Sequence, residues 1–253
     1  MRVQTEEWRR FIPGVRMYKG KMTLFYNGEK LYDNGKLLIY NDWEERLKWE
    51  VIIILPGVEV IPEGTFQGCG NVKTVIMNDT VRRIENEAFS DCFFLKFIKL
   101  SRNLEYIGVW AFSSCSSLTS IFIPPYCREI RNHAFCGCRK LLMLSVPQYT
   151  QLGDGVICGT ALIEAYTYDR AFNDEVNEWI KSINDGDENA LHRACASSNP
   201  PLENDILLIM QRQGLVELRK RNSIGVTPLQ YLEANPYADI DEQEILKGIL
   251  SNC

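Results

Sequence analysis

The sequence predicts a β-rich α/β fold: a right-handed solenoid of about five coils, closed in front by a β-meander and behind by an α-helical module. Three ladders predict it. Phe66, Phe89, Phe112 and Phe135 recur every 23 residues. Cys69, Cys92, Cys115 and Cys138 keep the same interval, as do Ile61, Ile84, Ile107 and Ile130. Three residue types held to one period over four copies make an internal repeat, and a repeat of this length is built by stacking small units. No copy can bury its own apolar rows, so its neighbours must supply the core.

Each copy has an extended half and an irregular half. The extended halves, residues 49–54, 72–77, 95–100, 118–123 and 141–146, alternate inward and outward as half-buried strands do. One inward row is Val75, Ile98, Ile121 and Leu144; a second is Met77, Leu100, Ile123 and Val146; a third is Val72, Leu95, Leu118 and Leu141. In the irregular half, Ala88, Ala111 and Ala134 precede the phenylalanines. The alanines are expected to be small because the coil turns tightly there. The phenyl rings are expected to fill the space between coils as a continuous column. The fifth copy is worn: Leu152 and Ile157 arrive one residue early, which suits a terminal unit.

The run Ile121-Phe122-Ile123-Pro124, with Ile130, Ala134-Phe135, Cys138 and Leu141, resembles the 23-residue leucine-rich repeat of the BspA-like, or Treponema-type, family. The resemblance implies a leucine-rich-repeat solenoid. It departs at Asn78-Asp79, where the family prefers Leu-Pro or Ile-Pro.

Both ends of such a stack need covers, because an open sheet edge invites pairing. Short apolar-aromatic runs at residues 22–26, 30–32 and 36–40 are separated by Asn27-Gly28 and Asn34-Gly35, and Asn-Gly is a strong hairpin signal. A three-stranded meander is expected there, leading through residues 43–49 into the first coil. Near the C-terminus the period becomes helical, with Val176, Trp179, Ile180 and Ile183 following Asn173-Asp174. Two later segments, Asn189-Ala190-Leu191-His192 and Val226-Thr227-Pro228-Leu229, resemble ankyrin repeat openings, with an insertion at residues 197–201. The resulting division is a cap at 1–50, leucine-rich repeats at 51–168 and a helical ankyrin-like module at 169–253, with a hinge at 169–175.

The chain has 253 residues, is 45% hydrophobic and 24% charged, and carries a formal charge of −5. That composition suits a folded soluble protein and not a nucleic-acid binder, which carries a basic face. The basic run Leu218-Arg219-Lys220-Arg221 suits a helix C-terminus. The first ten residues hold no apolar signal segment, and the aliphatic run Val51-Ile52-Ile53-Ile54-Leu55 is too short to span a bilayer. The expected compartment is therefore cytoplasmic or nuclear. The nine cysteines are expected to be reduced thiols, those of the ladder acting as small buried hydrophobes. The Asn78-Asp79-Thr80 sequon carries no meaning there.

Catalytic groups are scarce. His133 and His192 are the two histidines, and both are expected to be structural. Under the ankyrin resemblance, His192 hydrogen-bonds backbone and fixes a turn. No spacing brings either histidine to a thiol. Cys136-Gly137-Cys138 lacks the spacing of a zinc pair, and Cys136 is expected to be exposed. No catalytic residue, metal or cofactor is expected.

The unusual feature is the outward strand rows. Ile53, Ile76, Phe97, Phe122 and Met143 form an apolar strip beside Lys73, Lys96 and Lys99. Such a strip is the form of a protein-binding face, unless the terminal modules fold over it. The candidate partner-binding residues are Ile53, Ile76, Phe97, Lys99, Phe122 and Met143, with Phe97 and Phe122 as anchors. The expected function is non-catalytic protein recognition by a monomer, with no nucleic-acid or membrane partner. The family resemblance offers a second possibility, a surface or adhesion-type antigen; an unrecognised enzyme is the third.

Overall fold

A computed structural model describes residues 23–26, 31–33, 36–37, 47, 49–162, 173–183, 190–196 and 220–237. The Asn27-Gly28 and Asn34-Gly35 turns, residues 43–46, hinge residues 169–172 and the insertion at 197–201 lie outside them, as do Leu218 and Arg219.

The array is a β-solenoid of about four full turns built from five strand pairs. The longer strands are β4 (Val51–Ile54), β6 (Thr74–Ile76), β8 (Phe97–Lys99), β10 (Ser120–Phe122) and β12 (Met143–Ser145). The short strands are β5 (Val60–Ile61), β7 (Arg83–Ile84), β9 (Tyr106–Ile107), β11 (Glu129–Ile130) and β13 (Gln151–Leu152). All pair in parallel with their equivalents one coil away. Val75, for example, is in register with Ile98, and Ile84 with Ile107. The short strands form one five-stranded sheet, while the longer sheet divides between β8 and β10.

At the front, β1 (Thr23–Tyr26), β2 (Leu31–Asp33) and β3 (Lys36–Leu37) form the expected antiparallel meander. It prolongs the longer sheet, because β1 pairs in parallel with β4 and gives the order β3-β2-β1-β4-β6-β8. The longer strand of the first coil is thus not a sheet edge.

The core lies between the two sheets. The four phenyl rings form one column, with centroids 5.0, 5.2 and 5.5 Å apart. Backbone bonds set this spacing: Phe66, Phe89 and Phe112 each donate their N–H to the alanine carbonyl of the next coil at 2.8 Å. The ladder cysteines do more than fill space. The thiols of Cys92, Cys115 and Cys138 donate to the carbonyls of Phe66, Phe89 and Phe112 at 3.3, 3.3 and 3.1 Å. A small apolar side chain with a weak donor fits that position.

The tight turn falls two residues before each phenylalanine of the column, or before Ile157 in the last coil. Gly64, Glu87, Trp110, His133 and Gly155 have φ of 62, 56, 53, 58 and 59°. That left-handed region is costly for residues with a Cβ, yet three coils place one there. The alanines themselves are small because they are fully buried.

At the back, α1 (Asn173–Ser182) lies against β12, and its Ile180 and the following Ile183 are buried in the common core. Its Asn177 side chain donates to the carbonyls of Leu152 and Gly153 at 3.3 and 3.2 Å, closing the last coil. Next come α2 (Ala190–Cys195) and α3 (Pro228–Ala234). Thr227 caps α3 in a reciprocal box with Gln230, and Pro228 follows where the missing N–H costs nothing. The Asn235 amide ties the two helices by donating to the Cys195 carbonyl at 2.8 Å.

Candidate functional site

The outward face of the longer sheet divides into a covered part and an open part. Ile53 and Ile76 are buried with Val51 in a small cluster of their own, with Leu55 against it. Phe122 is 3% exposed. It meets the Tyr231 ring of α3 edge-on, with centroids 6.1 Å apart. Three of the six candidate partner-binding residues are therefore packed away from water. For Phe122 the reason is the C-terminal segment, which folds over β10.

Phe97, at the start of β8, stays 37% exposed, while Lys99 and Met143 are half-buried. Burial lowers the Lys99 pKa from the ordinary lysine range, and the nearby Arg102 guanidinium lowers it further; Asp79 opposes both. Near Phe97 the structure reveals two aromatic residues that the strand alternation had passed over. Phe93 and Phe94 are 47% and 53% exposed on the turn that leads into β8. Side-chain carbons of Leu47 and Phe93 both reach over Gly70, where an added Cβ would lie 3.6 and 3.7 Å from them. The equivalent positions in other coils hold Gly70-Asn71, Ser116-Ser117 and Arg139-Lys140. Comparison down that column, and not along the strand, carries the signal. Lys73 and Lys96 flank the patch, with Lys73 bridged to Glu50 at 2.9 Å.

A second cluster lies on the irregular half of the last two coils. Cys136 and Cys158 hold equivalent positions, with Cα atoms 4.6 Å apart, and form a disulfide. The expectation of a reduced, exposed Cys136 is therefore corrected. The cause is register: the last coil is one residue short, so Cys158 falls 22 residues after Cys136 and directly beside it. The Nδ1 atom of His133 lies 3.6 Å from the Cys158 sulfur. The fold thus brings a histidine to a pair of sulfurs, which the linear spacing had not suggested. The other described cysteines, Cys69, Cys92, Cys115, Cys127, Cys138 and Cys195, lie outside any disulfide and are buried.

His192 is fully buried, and its Nε2 lies 3.1 Å from the Lys220 carbonyl oxygen and 3.0 Å from that of Val226. Two acceptors require a proton on Nε2. The ring thereby fixes the loop that precedes α3.

The sequence profile of the BspA type leucine-rich repeat region, a six-copy unit, matches residues 43–171. This chain belongs to the BspA-type leucine-rich-repeat family. The BspA-type chain is similar to a leucine-rich-repeat protein of T. pallidum at 27% identity, covering 42% of this chain and 53% of that one, with a TM-score of 0.41. It is similar to a leucine-rich-repeat protein from Bacteroides ovatus at 25% identity, covering 50% and 41%, with a TM-score of 0.39. The pneumococcal vaccine antigen PcpA shows 25% identity over 55% of this chain and 38% of its own, with a TM-score of 0.44. The BspA-type chain thus spans about half or less of these relatives. No curated protein matches it. Among the described residues no helix is long and apolar enough to cross a membrane.

Proposed function

We propose that this BspA-type chain is a non-catalytic scaffold that recognises a protein partner along the rim of its longer sheet. The observation that carries the reading is the aromatic patch of Phe93, Phe94 and Phe97, each more than a third exposed on one coil. Exposed aromatics grouped on a rigid support act as anchors for a complementary surface. Lys73, Lys96 and Lys99 give the patch a basic border, so the partner would present apolar side chains within an acidic rim. Phe97, Lys99 and Met143 remain contact candidates. Ile53, Ile76 and Phe122 support the sheet from buried positions. In the finer division of the chain, 51–168 is the recognition array, 1–50 its front cover and 169–253 an ankyrin-like cover. The grip of His192 on the Lys220 and Val226 carbonyls supports that last reading.

The test is affinity capture with the full chain, followed by a binding titration of the captured partner. The triple variant Phe93→Ala, Phe94→Ala, Phe97→Ala should weaken binding by at least roughly 2 kcal/mol, the scale of an aromatic anchor. Undiminished affinity would sink the reading.

A surface role is favoured by one observation, the Cys136–Cys158 disulfide, because such bonds persist in oxidising compartments. Protease treatment of intact cells separates the two locations: a surface protein is cleaved and an interior one is spared.

A further inference from the structure

We infer that Cys136, Cys158 and His133, once the disulfide is reduced, form a three-ligand site for a thiophilic divalent cation, with Zn2+ as the fitting ion. The donor set is one imidazole nitrogen and two thiolates, which selects Zn2+ over the oxygen-seeking Mg2+ and Ca2+. The three donor atoms all lie within 4.8 Å of one another, and this is the one such group among the described residues. With Zn–S near 2.3 Å and Zn–N near 2.0 to 2.1 Å, a tetrahedron has an N···S edge of about 3.6 Å and an S···S edge of about 3.8 Å. Nδ1 of His133 already stands 3.6 Å from the Cys158 sulfur. The adjustment needed is a parting of the two sulfurs, and side-chain rotation supplies it.

The histidine is held in a built cradle. Its backbone N–H donates to the Asp154 carbonyl at 2.8 Å. Its ring lies beside Trp110, with centroids 6.2 Å apart. Gly155 adjoins the ring, and a Cβ there would lie 2.5 Å from Nδ1 and 2.6 Å from Cε1. Only glycine leaves room for the imidazole to reach Cys158. Both cysteines are anchored alike: Cys136 donates its N–H to the His133 carbonyl at 3.0 Å, and Cys158 to that of Gly155 at 3.1 Å. In earlier coils the same pairs of positions hold Glu87 with Ser90 and Trp110 with Ser113, which offer neither imidazole nor thiol. All three ligands are half-buried, so water completes the fourth position.

The disulfide and the metal are alternative states. A phosphine reductant and water yield the phosphine oxide, and the two electrons and two protons convert the disulfide to two thiols. Zn2+ then displaces both thiol protons, and His133 donates its lone pair. The cation site stands whatever the sheet rim binds.

The experiment titrates the full chain, reduced with phosphine and desalted without oxygen, with Zn2+ against a chromophoric chelator while a pH indicator counts protons. The expected result is one Zn2+ per reduced chain with about two protons released per ion, and none bound by the oxidised chain. Cys136→Ser and Cys158→Ser should abolish uptake, and His133→Asn should weaken it roughly tenfold or more, since even outer-shell losses reach that size. Serine already stands at positions 90 and 113, so Cys136→Ser places in the fourth coil what the second and third carry. Circular dichroism checks each fold, and Cys136→Ala replaces any serine variant that does not melt as the parent does. Full uptake by the Cys136→Ser, Cys158→Ser double variant assigns the ion to other thiols and overturns the site. Uptake by the oxidised chain, or none by the reduced one, overturns it equally.

Discussion

The hydroxyl of Tyr237 donates a 3.0 Å hydrogen bond to the carbonyl oxygen of Leu100, joining residues 137 positions apart. Leu100 follows β8, so the bond fastens the C-terminal segment to the middle of the array. Arg102 stands over the Tyr237 ring at 5.6 Å and pairs with Asp79 at 3.1 Å. Tyr237→Phe keeps the ring and leaves a buried carbonyl without this donor. Equilibrium urea unfolding should show a loss of about 1 to 1.5 kcal/mol.

The same burial gives stability an alkaline limit. Burial raises the Tyr237 phenol well above the usual tyrosine range, with Asp79 adding to it. Burial pushes the thiols of Cys127 and Cys195 up to about 12. In the unfolded chain these groups lose protons near ~8.5 for thiols and ~10 for tyrosine. The folded state holds the protons more tightly. Its advantage is therefore complete below those values and is lost as pH rises toward the folded ones. Melting temperature should fall progressively above about pH 8.5, with a smaller fall above pH 10 in Tyr237→Phe.

Phe112 is fully buried between Phe89 and Phe135. Phe112→Ala opens a cavity inside the ring column that the backbone ladder holds apart. The expected cost is about 3 to 5 kcal/mol in denaturant unfolding. Phe93→Ala, on the open rim, should change stability by less than about 0.5 kcal/mol.

Gly108 is constrained by its neighbour one coil earlier. A Cβ there would lie 2.6 Å from both the Asn86 nitrogen and the Glu85 carbonyl carbon. The approach is close because the Asn86 side chain accepts the Val109 N–H at 2.9 Å. Gly108→Ala should destabilise by about 1 to 3 kcal/mol, and Asn86→Ala should not restore the loss, since the clash is with backbone.

Alkylation of the native, oxidised protein at pH 8 should leave Cys69, Cys92, Cys115, Cys127, Cys138 and Cys195 unmodified. All six are buried, and burial holds Cys115, Cys127 and Cys195 in the protonated, unreactive form. Peptide mapping by mass spectrometry reads the result; labelling of any of the six before unfolding would contradict it.

The ladders were legible because every coil repeats the same burial problem. Phe135 is packed as Phe66 is, so the period alone placed the column, the inward rows and the buried alanines. The helix with Ile180 and Ile183 was legible for a similar reason, since its spacing encodes a buried stripe. The fate of Phe122 was not. Whether an outward strand residue meets water depends on Tyr231, more than a hundred residues later, and no local pattern records that docking. Glu87, Trp110 and His133 carry no residue-type signal for their left-handed backbone, because the coil imposes it against their own preference. The one-residue shortening of the last coil was visible in Leu152 and Ile157. Carried one step further along the same count, it aligns Cys158 with Cys136.

The 23-residue hand-over of backbone bonds through the earlier coils makes the molecule divisible. Its tail grips two adjacent rungs, at Leu100 and at Phe122. Excising one whole period upstream of these rungs would seat new neighbours in the old geometry and leave both grips untouched. Length is thus a freely adjustable dimension on the amino-terminal side of those grips and a fixed one beyond them.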